Sequence, residues 1–256
     1  MHITEQIREY VDRAILYSYR GSHTHGTYIP STDPNSIDDI DMMGVYLAAP
    51  ERYVGLQENL QRSFPLKHEE YDYEFHEFRR FLNLLLKSNP NVIGMLWLQP
   101  HLYKKISETG RYLIDHRDIF SSKAAYYSFT GYAHAQLYKM EHLAYQGYMG
   151  AKRKRLVEKY GYDTKNAAHC IRLLRMGIEF LLTGEIHVWR ADADTLKEIK
   201  TGLWTLDQVK DEASRLFKNA EEALLKTHLP HSPDKEKAER LCMDVLTDYL
   251  RTGIVK

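Results

Sequence analysis

Residues 20–50 read RGSHTHGTYIPSTDPNSIDDIDMMGVYLAAP, and the fold turns on how that stretch divides. The part through Pro30 and Pro34 is made of Pro, Ser, Thr, Asp and Asn and reads as a loop. Asp41 to Ala48 is almost continuously apolar and reads as a buried strand stopped by Pro50. Upstream, Ile7, Tyr10, Val11, Ala14, Ile15 and Tyr17 fall at helical spacing. A helix with Thr4 as N-cap is therefore predicted to run to Tyr19-Arg20-Gly21.

Downstream, Glu70-Tyr71-Asp72-Tyr73-Glu74-Phe75-His76 alternates polar and aromatic residues. That is the period of a half-buried strand, with Asp72, Glu74 and His76 on one face and the rings on the other. From Glu77 the period becomes helical through Phe78, Phe81, Leu82 and Leu85, and Ser88-Asn89-Pro90 ends it. Beyond Pro100 the patterns are helical: 103–115, 123–146, 164–182, 206–225 and 234–250, with one candidate hairpin at 185–189. Met95, Trp97, Tyr126 and Tyr127 read as core. The expected organisation is an α/β N-terminal part, residues 1–120, followed by an α-helical part, residues 121–256.

Lys and Arg number 35, as do Asp and Glu. The balance gives no reason to expect extended duplex binding, so any basic surface is local. Lys152-Arg153-Lys154-Arg155 is the strongest basic run; it is either solvated surface or a contact for phosphates. Cys170 and Cys242 sit in helical patterns without CxxC spacing, which fits a reducing compartment. The start, MHITEQIREYV, has no apolar signal core, and no apolar run reaches a membrane span. A cytoplasmic protein with no membrane partner is expected.

The acids carry the chemistry. Asp39 and Asp41, at i and i+2 entering a strand, point the same way, and unshielded neighbouring carboxylates cost stability. A divalent cation removes that cost; Mg²⁺ takes one or two carboxylates together with phosphates and water. A third acid from a neighbouring strand, Asp72 or Glu74, would allow two metals to clamp a phosphoryl centre. Gly21 permits close backbone approach and Ser22 can meet a phosphate oxygen, although Gly21 also suits the C′ position of a helix. His23 and His25 offer a rival: with Asp39 and Asp41 they would make a mixed nitrogen and oxygen site for zinc, manganese or iron. In the 164–182 helix, Ala167, Ile171, Leu174, Ile178 and Leu181 form the apolar stripe, and Lys165, His169 and Arg172 lie opposite it. That polar side is either solvated or the wall of a cleft.

Helix, Gly-Ser, loop, Asp-x-Asp entering a strand, and a later acid together resemble the DNA polymerase β nucleotidyltransferase superfamily, in its RNA-repair-associated group. The resemblance extends to YDYEFHEFRRFLNLLLKSNPNVIGMLWL, residues 71–98, and to YGYDTKNAAHCIRLLRMGIEFLLTG, residues 160–184. It implies an α+β fold, a nucleotidyltransferase core with a small mixed sheet followed by an α-helical domain that completes the cleft, and that Gly21 and Ser22 hold the phosphates of an incoming NTP. It likewise implies that Asp39 and Asp41 bind Mg²⁺ or Mn²⁺, that Asp72 is the third acid, and that Lys165, His169 and Arg172 contribute to nucleotide binding. The gap of 16 residues between Ser22 and Asp39, and Asp38 in place of a serine, depart from the superfamily's usual pattern. The implied reaction moves an NMP to an acceptor hydroxyl, such as an RNA 3′ end, and releases pyrophosphate. A phosphoesterase using the His/Asp cluster and a non-catalytic nucleotide or RNA sensor are the competing readings.

Overall fold

The computed structural model describes residues 3–33, 36, 38–56, 63–142 and 151–255, with the side chains of 3, 141–142 and 151–153 left out. The first helix, α1 (Ile3–Asp12), is followed at once by strand β1 (Ala14–Tyr19). The predicted helix through Tyr17 is thus corrected: it stops at Asp12, and Thr4 lies inside it rather than capping it. The physical reason is burial on both sides. Ala14, Ile15 and Leu16 are fully buried, and β1 fits between two antiparallel neighbours, a setting that a continuous apolar run suits as well as a helix does.

Next come β2 (Ile40–Tyr46), the short α2 (Glu51–Val54), β3 (Ser63–His68), β4 (Tyr71–Glu77) and α3 (Phe78–Leu85). Glu77 caps α3, its side chain accepting from the Arg80 amide. The edge strand β5 (Tyr103–Ile106) and α4 (Glu108–Asp115) divide a segment that reads as one helix from sequence. Among the described residues the five strands form one mixed sheet in the order β3-β4-β2-β1-β5, parallel only between β2 and β4. The fold is α+β, and a helical region follows the sheet.

That region holds α5 (Ala124–His142), α6 (Ala151–Tyr160), α7 (Thr164–Thr183), α8 (Ala193–Lys200), α9 (Leu206–Lys226) and α10 (Lys235–Thr252). Its ends are set by side chains. Asp163 accepts from the Asn166 amide at the start of α7, and Thr205 with Gln208 closes a capping box on α9. Residues 185–189 form no hairpin; they run as an irregular segment with Arg190 anchored to Glu179 and Asp192. Cys170 and Cys242 are unbonded thiols. Tyr127, expected in the core, is 67% exposed.

The two sheet faces have different partners. Tyr46 and Phe75 pack with Ile7 of α1, while Met43, Val45 and Leu47 join the large core that continues into α3, α5, α7 and α9. Because strand residues alternate, Asp41 shares the face of Met43 and Val45, and Asp72 and Glu74 share it on β4. The acids are therefore carried at the end of the sheet face that meets the helices. Among the described residues no helix is long and apolar enough to cross a membrane.

Candidate active site

The parallel register places Asp41 directly beside Asp72, and Met43 beside Glu74. Neighbouring strands lie roughly 4.8 Å apart, so two carboxylates on one face necessarily feel each other. Burial pushes Asp41 above the usual carboxylate range; Asp72 and Asp39 push the same way, while Arg20 and Lys165 pull it back. Asp39, just before β2, reaches toward Lys67 at 3.5 Å.

Gly21 opens a single turn, 21–23, directly after β1, with φ of +63°. A Cβ there would lie 2.4 Å from Asp41 Oδ2. The left-handed backbone favours glycine here, and any side chain would displace the Asp41 carboxylate; the helix-ending role is set aside, because a strand precedes it. Ser22 Oγ is buried with no hydrogen-bond partner among the described residues.

Gly21, Ser22 and Asp41 form one wall of a cavity of about 400 Å³ whose opposite wall is α7, through Lys165, His169 and Arg172. The α7 side that the sequence left as solvated or cleft-lining is thus cleft-lining. Arg172 is notable for its company. Its guanidinium donates to Met176 Sδ at 3.1 Å, and no carboxylate lies in ion-pair range among the described residues. Burial pushes its pKa down to about 9, with Arg190 adding to the effect and Asp192, beyond ion-pair range, opposing it. A largely desolvated cation with no acid in ion-pair range is costly, and the cavity beside it is where an anion would relieve that cost. Asp39 and Asp72 are not among the residues lining this cavity; Asp39 precedes β2, and Asp72 is Asp41's neighbour on β4.

The histidines do not form the mixed metal site. His23 lies between Tyr19 and Tyr28, with ring centroids 5.0 and 3.7 Å away. His25 is tied through Nδ1 to the Val188 carbonyl at 3.0 Å. Among the described residues no three His, Cys, Asp or Glu side chains make a ready metal cluster. The carboxylate pair Asp41 and Asp72 nevertheless offers oxygen-only ligands suited to Mg²⁺ or Mn²⁺, which complete their shell with water and substrate phosphate. Of the basic run, Lys154 and Arg155 are exposed on α6; the side chains of Lys152 and Arg153 lie outside the described residues.

The model of the RNA repair pathway DNA polymerase beta family matches residues 2–244. The chain belongs to that family. No curated protein matches it. Among solved structures, a nucleotidyltransferase-like protein from Exiguobacterium sibiricum 255-15 is similar at 12% identity, over 96% of this chain and 78% of that one, with a TM-score of 0.26.

Two features of this member of the RNA repair pathway DNA polymerase beta family escaped the sequence. Arg20 is paired with Glu74 and lies 3.8 Å from Asp41; its place beside Gly21 was the one available signal. Asp38, the residue that departs from the expected serine, is 7% exposed and accepts from the Ile29 amide at 3.0 Å and from Lys200 Nζ. Lys200, 6% exposed on α8, also donates to the Thr27 carbonyl at 3.0 Å, and Lys165 lies 3.6 Å from Asp38. The acidic substitution thus bolts the loop before Asp39 to the helical region. Nothing in linear spacing ties position 38 to position 200.

Proposed function

We propose that this protein is a nucleotidyltransferase that moves an NMP from an NTP to an acceptor hydroxyl and releases pyrophosphate. The observation that carries the reading is the two-walled cavity: a buried serine hydroxyl without a partner among the described residues and a glycine pressed on an acid face a cation with no acid in ion-pair range. A polyphosphate satisfies both walls at once. Asp41 and Asp72, with Asp39 completing the set, would hold Mg²⁺ or Mn²⁺. When bound, such an ion neutralises phosphate charge and lowers the pKa of a coordinated hydroxyl.

The chain's own groups take the remaining roles. Ser22 and the backbone at Gly21 grip the outer phosphates, with His169 beside them. Asp72 accepts the proton of the acceptor hydroxyl, whose oxygen attacks the α-phosphorus as the bond to the bridging oxygen breaks. Lys165 and Arg172 stabilise the charge that develops on the departing pyrophosphate. Asp72 is preferred over Glu74 as the third acid because it is Asp41's register partner, whereas Glu74 is engaged with Arg20. An RNA 3′ end is the acceptor that family membership favours.

Titration with a fluorescent non-hydrolysable NTP analogue in Mg²⁺ tests the site. Binding to the native protein that weakens at least tenfold in both Ser22→Ala and Arg172→Gln supports the reading. Equal affinity across the three proteins overturns it.

A further inference from the structure

Arg20 has no place in the transfer reaction as described, yet it stands in the midst of its acids. It lines the cavity. Its main-chain amide donates to the Asp41 carbonyl at 2.9 Å, which fixes its Cα at the end of β1, beside β2. Its guanidinium is engaged with Glu74 through one terminal nitrogen, while the other lies 3.8 Å from Asp41 Oδ1. Glu74 is itself held, its other oxygen 3.4 Å from His76 Nε2, and His76 Nδ1 lies 3.0 Å from Ser63 Oγ. Thus one end of the fork is anchored and the other reaches toward the carboxylate that Gly21 presses on.

Two carboxylates abreast on adjacent strands require positive charge near them. Arg20 supplies such a charge to Asp41, at 3.8 Å, a distance too long for a tight bidentate pair. Glu74 therefore does two things: it keeps the guanidinium close enough to offset Asp41, and it keeps it from closing on Asp41 and blocking the oxygens a cation would take.

We infer that Arg20 is a resident counter-ion to Asp41, held off by Glu74, and that this pair sets how tightly the site takes a divalent cation. It is a positioning pair and not a catalytic one. The inference rests on the reading of Asp41 and Asp72 as cation ligands.

The test uses Mn²⁺ alone, with binding followed by the electron paramagnetic resonance signal of the unbound ion, and thermal unfolding in EDTA and in Mn²⁺. Arg20→Gln should bind Mn²⁺ about tenfold more tightly than the native protein, one positive charge having left the site. It should also melt earlier in EDTA and recover most of that loss in Mn²⁺. Glu74→Gln should bind Mn²⁺ about tenfold more weakly, because the guanidinium then closes on Asp41. In an Asp41→Asn background, Arg20→Gln should lower the melting temperature in EDTA by less than it does with Asp41, the remaining loss being that of the Glu74 pair. A purely structural clamp would give a different pattern. Arg20→Gln would lower stability equally with and without Mn²⁺ and with Asp or Asn at 41, and Mn²⁺ affinity would be unchanged; that result overturns the inference. If Arg20→Gln does not fold, the Glu74→Gln affinity decides alone, an unchanged value overturning the proposal. Failure of the underlying reading looks different again: the native protein and Asp41→Asn would bind Mn²⁺ equally weakly.

Discussion

Gly21→Ala separates the strain of a backbone from the placement of an acid. Gly21 has φ of +63°, and an added Cβ would stand 2.4 Å from Asp41 Oδ2, where ordinary contact begins at 3.4 Å. The left-handed backbone alone costs a non-glycine residue about 1–2 kcal/mol. For a chain of this size that corresponds to a fall in melting temperature of roughly 2–8 °C. Relief of the clash requires the carboxylate to move by about 1 Å, and a shift of that size at a reacting centre costs about a hundredfold in rate. Gly253, with φ of +67° and nothing within 4 Å of an added Cβ, is the control, because it carries the strain without the clash. Both alanine variants should melt earlier by similar amounts in scanning calorimetry. Only Gly21→Ala should lose pyrophosphate release, by about two orders of magnitude. A Gly21→Ala protein that turns over normally, or a Gly253→Ala protein that loses as much, would refute the claim that Gly21 is there to place Asp41.

Arg172→Gln should change the urea midpoint little, since it removes a largely desolvated charge that only Asp192 attracts, from beyond ion-pair range, while nucleotide affinity falls at least tenfold. A large stability loss would show that Arg172 is a structural residue. Lys200→Met should cost about 3–5 kcal/mol in urea unfolding by stranding Asp38, nearer the lower figure because Lys165 stays close. Asp38→Asn in that background should restore most of it, and an additive double variant would contradict the buried pairing. Burial, with Arg172 next, holds the His25 pKa well below its usual value, and burial lowers those of His23 and His76 also. The unfolded chain then binds more protons than the folded one below about pH 6.5, so stability must fall as pH drops through that range. His25→Gln should reduce that slope by up to about 1.4 kcal/mol per pH unit; an unchanged slope would mean that His25 is protonated in the native state.

Much of the framework was legible because its signals were local. The polar–aromatic alternation of 71–77 made β4 and placed Asp72, Glu74 and His76 on one face, and the caps at Asp163, Thr205 and Asp234 opened α7, α9 and α10 close to where periodicity puts them. What failed depended on tertiary partners. Ala14, Ile15 and Leu16 satisfy a helix face and a central strand equally well, and only the pairing with β2 and β5 decides between them. β5 is four residues, YKKI, too short to show a period. At the site, the cavity brings Gly21, Ser22 and Asp41 opposite Lys165, His169 and Arg172, all singled out from sequence. Arg20 and Lys200 were missed because their partners, Glu74 and Asp38, are set by strand register and by the seat of α8, not by spacing along the chain.

The central claim is transfer of a nucleotide at Asp41 and Asp72. The most direct measurement is pyrophosphate release with each of the four NTPs in Mg²⁺, with cellular RNA as acceptor and an Asp39→Ala/Asp41→Ala protein as control. Release with the native protein that vanishes in the control, with labelled NMP appearing on the acceptor, is the predicted result. Nucleotide binding with no pyrophosphate from any NTP, whether RNA, protein or a small-molecule hydroxyl is offered, would contradict it and leave a site that senses nucleotides without transferring them.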